Sequence, residues 1–193
     1  MTRRGKRELI MDAGRAALLE RGIAQLRLAD VAGAAGLTPP GVLYHYSDIF
    51  ALFDAAFDVS VEEYCGARRA AVERASGHLD RLRACITSGV PRTRDQLDTT
   101  RLLIELHPYV LRDSAQSERW QTFVAEQVEI YRAVLEDGAA DGAFVLQGEA
   151  ERIGEDFIAL EDGYSGAIVA KTRTADYVEE RLWAFAKASC SIT

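Results

Sequence analysis

The chain has 193 residues, of which 23 are lysine or arginine and 30 are aspartate or glutamate, and its formal net charge is −7. Its three cysteines form an odd set with no short spacing, which disfavours a disulfide framework or a zinc site. No apolar run approaches the roughly 18 residues of a membrane span, and Met1 precedes a basic stretch rather than a hydrophobic one, so we expect a cytoplasmic protein.

The charge is distributed unevenly along the chain. Through Asp48 there are seven basic and five acidic residues, a balance of +2, whereas the remainder carries 16 basic and 25 acidic residues, a balance of −9. Only the amino-terminal end is therefore suited to approach a polyanion. A basic arm opens the chain: Arg3, Arg4, Lys6 and Arg7. Solvated termini are often basic, but next to a DNA-binding motif this arm predicts phosphate or minor-groove contact.

Residues 26–53 contain two short predicted helices and a tight turn. Leu28, Val31 and Ala32 follow the spacing of one apolar helix face, and Gly36 supplies the residue that ends this helix. Thr38 followed by proline is a strong helix start, because proline fixes φ at the first helical position. Apolar spacing at 42–50 extends the second helix. The pattern fits a helix-turn-helix, whose second helix enters the major groove; an ordinary helical hairpin is the alternative.

The residues around this motif resemble a known family. Leu43-Tyr44-His45-Tyr46 resembles the Leu-Tyr-x-His/Tyr signature of the tetracycline-repressor (TetR) family of bacterial transcriptional regulators. The run 30–38 resembles the Asp-Ile-Ala…Ala-Gly-Val-Ser segment that precedes the signature, and 10–22 resembles the first helix with its terminal Arg-Gly. The resemblance is specific over residues 6–56. It implies an all-α fold with a three-helix helix-turn-helix domain at 1–50 and a larger helical ligand-binding and dimerisation domain at 51–193.

Two positions depart from the family pattern. Arg27 stands where members often have a small hydroxyl residue that caps the helix and touches a phosphate, and an arginine reaches a phosphate but cannot cap in the same way. Ser47-Asp48 follows the signature in place of the common Phe-x-x-Lys-Glu, so an expected backbone contact from lysine is absent.

The predicted DNA contacts follow from this assignment. Thr38 and Tyr44 are expected on phosphates, His45 on a base edge or phosphate, and the helix tip makes apolar contact with bases. Tyr46 either contacts a phosphate or packs inward. The full predicted set is Arg3, Arg4, Lys6, Arg7, Arg27, Thr38, Pro39, Pro40, Gly41, Tyr44, His45 and Tyr46.

The rest of the chain is predicted to be helical throughout, with no strand pattern of any length. Candidate helices run over 48–74, 78–89, 95–112, 114–138, 150–171 and 175–190, with breaks at Pro91, 138–142 and 147–148. Pro108 is expected to kink or end its helix at His107, because the residue before proline is pushed away from the α region. Each cysteine lies in an apolar helical context and is predicted to be a small core residue.

A ligand pocket is predicted around the helix at 114–138. Trp120, Gln127 and Tyr131 share one stripe, and polar groups on an otherwise apolar stripe orient a ligand in a pocket; ordinary core is the alternative. Acidic residues across the body mildly favour a neutral or cationic ligand. The predicted ligand-binding residues are Tyr64, Cys85, Leu103, His107, Trp120, Phe123, Val124, Gln127 and Tyr131.

The last two predicted helices have apolar residues on more than one face. Ala159, Gly163 and Ala167 lie four apart and would let another helix approach closely. Such helices are either buried deep in one chain or paired across a two-fold axis, and the resemblance places a four-helix dimer contact here. The predicted interface is Phe157, Leu160, Gly163, Tyr164, Ala167, Ile168, Val178, Leu182 and Phe185.

The sequence thus predicts a regulator, most simply a repressor, that binds a palindromic operator as a homodimer and leaves it when a small-molecule effector binds. No cofactor or metal is expected. The histidines lack metal spacing, no nucleophile or phosphate-loop motif is present, and pairs such as Glu161-Asp162 are expected to be solvated helix faces, so an enzyme is disfavoured. The alternative is a helical ligand-binding or adaptor protein that does not bind DNA.

Overall fold

The computed structural model describes residues 3–111 and 114–192, with side chains described from Gly5 to Leu111 and from Ser117 to Ser191. Over this part of the chain the fold is helical, with one small antiparallel sheet. The elements are α1 (Arg3–Arg21), α2 (Leu28–Ala34), α3 (Pro39–Leu43), α4 (Ile49–Arg74), α5 (His78–Ser88), α6 (Arg94–Val110), α7 (Ser114–Ala140), β1 (Phe144–Leu146), α8 (Ala150–Val169), α9 (Ala175–Ser189) and β2 (Cys190–Ile192).

Local capping fixes the short helices of the head, which we define as residues 3–48. Gly36 adopts φ +65° in the turn between α2 and α3, a conformation that favours glycine. The Thr38 hydroxyl accepts a hydrogen bond from the Gly41 amide at 3.3 Å and caps α3. The Asp48 carboxylate accepts from the Ala51 amide at 2.8 Å and starts α4.

Two expectations for the head are corrected. The second helix of the motif ends at Leu43, so the apolar residues Ile49 and Phe50 belong to α4. The basic cluster at 3–7 is not a separate arm: α1 begins at Arg3 and runs through it. These basic residues are therefore held at helical spacing beside the motif.

Two apolar cores fill the molecule. The first joins α1–α3 to α4, α6 and Phe123 of α7, and so crosses the predicted domain boundary at residue 50. The second lies among α5, α7, α8, α9 and β1. The three cysteines are buried, unpaired core residues, as predicted. Because α4 shares the first core with the head, no break in packing falls at residue 50. The predicted domain division at 50/51 stays a prediction.

The body departs from the predicted pattern at two places. β1 and β2 pair antiparallel, with Val145 opposite Ser191, although no strand was predicted. Each strand has only three residues, too few to show an alternating pattern. Helix α6 continues through Pro108 to Val110 rather than ending at His107. Pro108 removes one amide donor from the last turn of α6, and only two helical residues follow it.

A buried ion pair joins the helices of the body. Arg68 of α4 and Glu161 of α8 lie 2.5 Å apart, and their side chains are 0% and 1% exposed. The Tyr131 hydroxyl of α7 donates to the other Glu161 carboxylate oxygen at 2.6 Å, and Arg68 donates to Gln127 at 3.4 Å. A Cβ at Gly89 would lie 2.2 Å from the Arg68 guanidinium, so only glycine lets this backbone approach the pair.

The geometry keeps the Arg68 guanidinium charged, whereas burial raises the pKa of the Glu161 carboxyl against the opposing effects of Arg68 and Tyr131. Burial lowers the pKa of Arg68, but the Glu161 carboxylate and the neighbouring Tyr64 and Tyr131 outweigh this effect, and the net pKa lies well above the usual value. A buried charge is stable only while its partner is present, because transfer of an unpaired ion out of water is costly. Glu161 was predicted on a solvated helix face, and that expectation is wrong.

Replacing Arg68 tests the pair. Arg68→Met leaves the Glu161 carboxylate buried without its cation, and we expect the free energy of unfolding to fall by about 3–5 kcal/mol in urea denaturation. Removing both charges in Arg68→Met/Glu161→Leu should recover most of this loss. Arg69→Met is the matched control: its side chain is 40% exposed and pairs with Glu126, so its effect should stay within about 1 kcal/mol. Equal losses for the two single variants would contradict the assignment.

Candidate nucleic-acid interface and ligand cavity

The tip of α3 projects from the head into solvent. Thr38, Pro39 and Pro40 are exposed and Gly41 is partly so. Tyr44, just after the helix, is 69% exposed, an unusual position for a large aromatic side chain in a folded domain. Its ring lies edge-on to that of His45, with centroids 5.1 Å apart. The tip therefore presents a hydroxyl, two prolines and two rings at one surface.

Tyr46 has the opposite environment. It is 3% exposed, its hydroxyl donates to the Arg7 carbonyl at 3.4 Å, and the Arg7 guanidinium lies 4.9 Å above its ring. Of the two roles that the sequence left open for Tyr46, the structure shows inward packing. It is not positioned to contact a phosphate, and it ties α1 to the end of the reading helix.

The basic residues of the head fall into two groups. Lys6, Arg7 and Arg27 are exposed, and none of these three belongs to an ion pair within the described residues. Arg15 instead forms an ion pair with Glu63 of α4, and Arg21 lies 3.5 Å from Asp30. The side chains of Arg3 and Arg4 lie outside the described part of the chain.

Arg27 stands at the amino-terminal cap of α2 without capping it. The Asp30 carboxylate accepts from the Arg27 amide at 2.9 Å, whereas the arginine side chain can accept no hydrogen bond from the helix. Arg27 is exposed to solvent.

Helix α6 holds the end of α1. The Arg101 guanidinium donates to the Leu19 carbonyl at 3.1 Å, and the Glu105 carboxylate accepts from the Ile23 amide at 3.2 Å. The Leu19 carbonyl is one of the last four of α1, which lack intrahelical partners, and the Ile23 amide lies just beyond the helix. A movement of α6 would therefore be transmitted to the head through the end of α1.

The other side of α6 borders a cavity of about 260 Å³ in the body. We call it the aromatic cavity, because four rings line it in a continuous series. The His107 and Trp120 rings stack at 4.1 Å, Trp120 meets Phe123 edge-on at 5.4 Å, and Phe123 meets Tyr64 at 5.8 Å. The remaining lining residues are Thr100, Leu103, Ile104, Asp162, Ser165 and Gly166.

Three lining groups have altered pKa values. Burial lowers the pKa of His107, so its imidazole is neutral at pH 7. Asp162 is exposed to solvent on one side, but the protein surrounds its carboxyl on the other, and this burial together with the Glu161 charge raises its pKa to about 6. Burial also raises the pKa of Tyr64 well above its usual value, so this phenol is neutral.

One buried polar group in the cavity wall has no partner. The Thr100 side chain is 4% exposed, and its hydroxyl oxygen forms no hydrogen bond with any described residue. Buried hydroxyls are normally hydrogen-bonded, since leaving one unsatisfied is costly. The cavity wall therefore contains a buried hydroxyl without a hydrogen-bond partner among the described residues.

The predicted ligand-binding residues divide between the cavity and the core. Tyr64, Leu103, His107, Trp120 and Phe123 line the cavity. Tyr131 and Gln127 are buried around the Arg68–Glu161 pair. Cys85 is buried near that pair, where burial raises its pKa to about 12, and Val124 packs against the second core. For these four the structure shows core packing, and they are not among the described residues that line the aromatic cavity.

Sequence reasoning missed three polar lining residues, Thr100, Asp162 and Ser165. Nothing in their local sequence marks them as cavity residues. They lie on α6 and α8, whereas the sequence pattern that predicted the pocket lies on α7. A second cavity of about 520 Å³ lies between α1, α4 and α6 and shares Tyr64 and Thr100 with the first. The cavity region thus reaches from the body to the head.

The predicted dimer residues also divide. Phe157, Val178 and Leu182 are at most 1% exposed and Ile168 is 8% exposed within a single chain, so they are core and have little surface for a partner. Leu160, Tyr164, Ala167 and Phe185 are partly exposed and Gly163 is exposed. A Cβ on Gly163 or Gly166 would meet no atom within 4 Å, so the small-residue face of α8 is open.

Among the described residues, no group of three or more His, Cys, Asp or Glu side chains is placed to hold a metal ion. No helix in the same part of the chain has the length and apolar character needed to cross a membrane.

The whole chain is similar in fold to solved transcriptional regulators. A TetR transcription regulator from Haloarcula marismortui ATCC 43049 is 21% identical, with a TM-score of 0.86 over 96% of this chain and 98% of that one. A protein from Saccharomonospora viridis, described as a transcriptional regulator in complex with choline, is 16% identical, with a TM-score of 0.87 over 95% and 96%. SmeT, the repressor of the Stenotrophomonas maltophilia multidrug efflux pump SmeDEF, is 17% identical, with a TM-score of 0.71 over 95% and 90%.

The family assignment comes from the head. No curated protein matches the sequence. Residues 10–56 match the family model described as bacterial regulatory proteins, tetR family, and this range contains α2, α3 and the signature at 43–46. The amino-terminal segment is thus similar to the tetR family of bacterial regulatory proteins over residues 10–56, and the all-α fold of the described residues is that of solved TetR-family regulators.

Proposed function

We propose that this protein is a ligand-responsive transcriptional regulator that binds a palindromic DNA operator as a homodimer. The observation that carries the proposal is the difference in burial between two neighbouring tyrosines. Tyr46 is buried and fixes the reading helix to α1, whereas Tyr44 stands 69% exposed at its end. An exposed aromatic ring on a rigid support costs solvation and contributes nothing to the core, which favours a role in contact with a partner.

The exposed groups of the head match the two parts of a DNA interface. Lys6, Arg7 and Arg27 supply cations for the phosphate backbone, whose neutralisation dominates affinity. Thr38 and Tyr44 supply hydroxyls for phosphates, and the prolines at 39 and 40 with Gly41 form the surface that meets base edges. His45 has a ring nitrogen available for a base or a phosphate. Arg3 and Arg4 extend the same basic segment.

Dimerisation supplies the spacing that such a head needs. One short reading helix contacts few base pairs, whereas two related by a two-fold axis read half-sites about 34–36 Å apart. In the proposed dimer the open face of α8, with Gly163 at its centre and Leu160, Tyr164 and Ala167 beside it, pairs with its copy, and the partly exposed Phe185 of α9 extends the contact. The buried residues Phe157, Ile168, Val178 and Leu182 support this face from within.

An effector in the aromatic cavity has a physical route to the head. The cavity touches Thr100, Leu103 and His107 of α6, and the same helix holds the end of α1 through Arg101 and Glu105. A ligand that prefers one position of α6 would shift the population of head positions and release DNA. Repression relieved by the ligand is the simplest regulatory outcome. The choline complex of the Saccharomonospora viridis protein supports small-molecule binding by this fold.

The alternative is a ligand-binding or adaptor protein whose head does not bind DNA. The exposed cations of the head disfavour it, because an adaptor has no need for a basic surface on an otherwise acidic chain. Salt dependence discriminates between the two, since DNA binding weakens steeply with ionic strength through counterion release. A selection from randomised duplexes that yields no enriched sequence would establish the alternative.

The first test removes the exposed ring. Tyr44→Ala should weaken binding to the selected operator about tenfold or more in a gel-shift titration, across operator variants alike, because a phosphate contact carries no base preference. Its melting temperature should stay within about 2 °C of the parent, because the side chain is exposed. Arg74→Ala, an exposed basic residue at the far end of α4, is the control and should leave DNA affinity unchanged.

Tyr46→Ala gives the converse result. Truncation of this buried ring should lower the free energy of unfolding by about 3–5 kcal/mol, as for other large core side chains, measured by urea denaturation. Unchanged DNA affinity in Tyr44→Ala, or unchanged stability in Tyr46→Ala, would refute the division of roles on which the proposed function rests.

A second test addresses the dimer. Gly163→Arg places a large charged side chain on the open α8 face, where a Cβ meets no atom within 4 Å of the same chain. The monomer should fold normally, but light scattering after size exclusion should show the monomer mass where the parent shows a dimer. Ala133→Arg, on the exposed face of α7, serves as the control and should stay dimeric. A parent protein that is strictly monomeric would overturn this part of the proposal.

A further inference from the structure

We infer that the aromatic cavity binds a compact organic cation, an alkylammonium ion held between the ring wall and Asp162. The inference rests on the proposed function, since it names the chemical class of the effector, and it uses only the residues of this cavity.

The charge of the lining favours a cation. Asp162, His107 and Tyr64 are its titratable groups. At pH 7 the imidazole and the phenol are neutral, as their pKa shifts show, while Asp162 is mainly ionised. Among the described residues, the cavity lining therefore carries a single negative charge and no cationic side chain. Arg68 lies close by, but its guanidinium is committed to Glu161 and does not line the cavity. An anionic ligand would meet repulsion from Asp162 without any compensating partner.

The ring wall adds a second attraction for the same charge. Aromatic faces attract cations within about 6 Å of the ring centre, and tryptophan does so most strongly. Phe123 contacts both Trp120 and Tyr64, and all three rings line the cavity. A quaternary ammonium ion suits this wall better than a metal ion or a strongly hydrated ammonium, because its methyl groups need no hydrogen bonds and lose little on leaving water.

The cavity volume limits the size of the ligand. At about 260 Å³ it falls below the roughly 300–1,000 Å³ of pockets for drug-sized ligands. At roughly 30 Å³ for each water-sized group, it holds about nine heavy atoms. The unpartnered Thr100 hydroxyl adds one polar contact, so a hydroxyl or carbonyl on the cation would gain a hydrogen bond. The structure thus favours a short ammonium compound that carries one hydrogen-bonding group.

The experiment compares a cation with its uncharged twin. Choline and 3,3-dimethylbutan-1-ol have the same shape and differ in whether the quaternary centre is nitrogen or carbon. In calorimetric titrations of the full-length protein at constant ionic strength, choline should bind at least tenfold more tightly than the alcohol. Ethyl- and butyltrimethylammonium, which lack the hydroxyl, should also bind, but more weakly than choline.

Two variants locate the binding. Asp162→Asn should weaken choline binding about tenfold and leave binding of the alcohol unaffected. Trp120→Leu should also weaken choline binding about tenfold. The matched control is Asp156→Asn, an exposed aspartate on the same helix that does not line the cavity, and its affinity for choline should equal that of the parent. An alcohol that binds as tightly as choline, an unchanged Asp162→Asn variant, or no binding by any of the three cations would overturn the inference.

The pH dependence provides a further readout. The groups that act on Asp162 are Glu161 of its own helix and Arg68 of α4, with His107 across the cavity on α6. Since the pKa of Asp162 is about 6, choline binding should weaken as the pH falls from 7.5 to 5, and this loss should be smaller in Asp162→Asn. DNA binding by the same preparation distinguishes the two proposals. Operator binding without cation binding would refute this inference alone. Cation binding without operator binding would refute the proposed regulatory function.

Discussion

The ion pair between Arg68 and Glu161 is the constraint on which the body of the protein depends. It lies where α4, α7 and α8 meet, and Tyr131 and Gln127 of α7 complete the contacts of both charges. The approach is so close that residue 89 must be glycine. Since neither charge can leave the other without a large desolvation penalty, the three helices keep one relative position. The same pair also sets the electrostatics of the cavity, because Glu161 raises the pKa of Asp162 while Arg68 opposes it.

Much of the helical pattern was predictable, because helix periodicity and capping are local properties. The predicted range 150–171 and the observed α8 (Ala150–Val169) agree within two residues, and Thr38 caps α3 as its sequence indicates. Local sequence patterns could not show which residues pair when they lie far apart in the chain. Glu161 next to Asp162 has the appearance of a solvated helix face, since charged residues are rarely fully buried, and its partner lies 93 positions away. The β1–β2 ladder was missed for the same reason.

The same distinction applies to the candidate site. The tip of α3 was predicted in detail, because its residues are contiguous and carry a signature; only the environment of Tyr46 needed the structure. The cavity was predicted in part. Its ring wall was recognisable because Trp120 and Phe123 lie on one helix, whereas Thr100 and Asp162 come from two other helices and have no common sequence signal. The charge of the cavity depends on polar residues such as Asp162, which come from other helices. A sequence pattern of aromatic residues therefore predicts a pocket but not the charge of the ligand that it binds.

The ion pair also determines which wall of the cavity can respond to a ligand. Three of the four helices around it are held together by buried charges. The fourth, α6, packs against α4 in the first apolar core, and its polar contacts with α4 are partly exposed hydrogen bonds, from Thr99 to Glu63 at 3.2 Å and from Tyr109 to Asp54 at 3.0 Å. Such bonds contribute about 1 kcal/mol each, far less than the cost of separating a buried ion pair. A ligand with a preference between two arrangements of the wall would therefore act on α6, which is also the helix that holds the end of α1 and so positions the head.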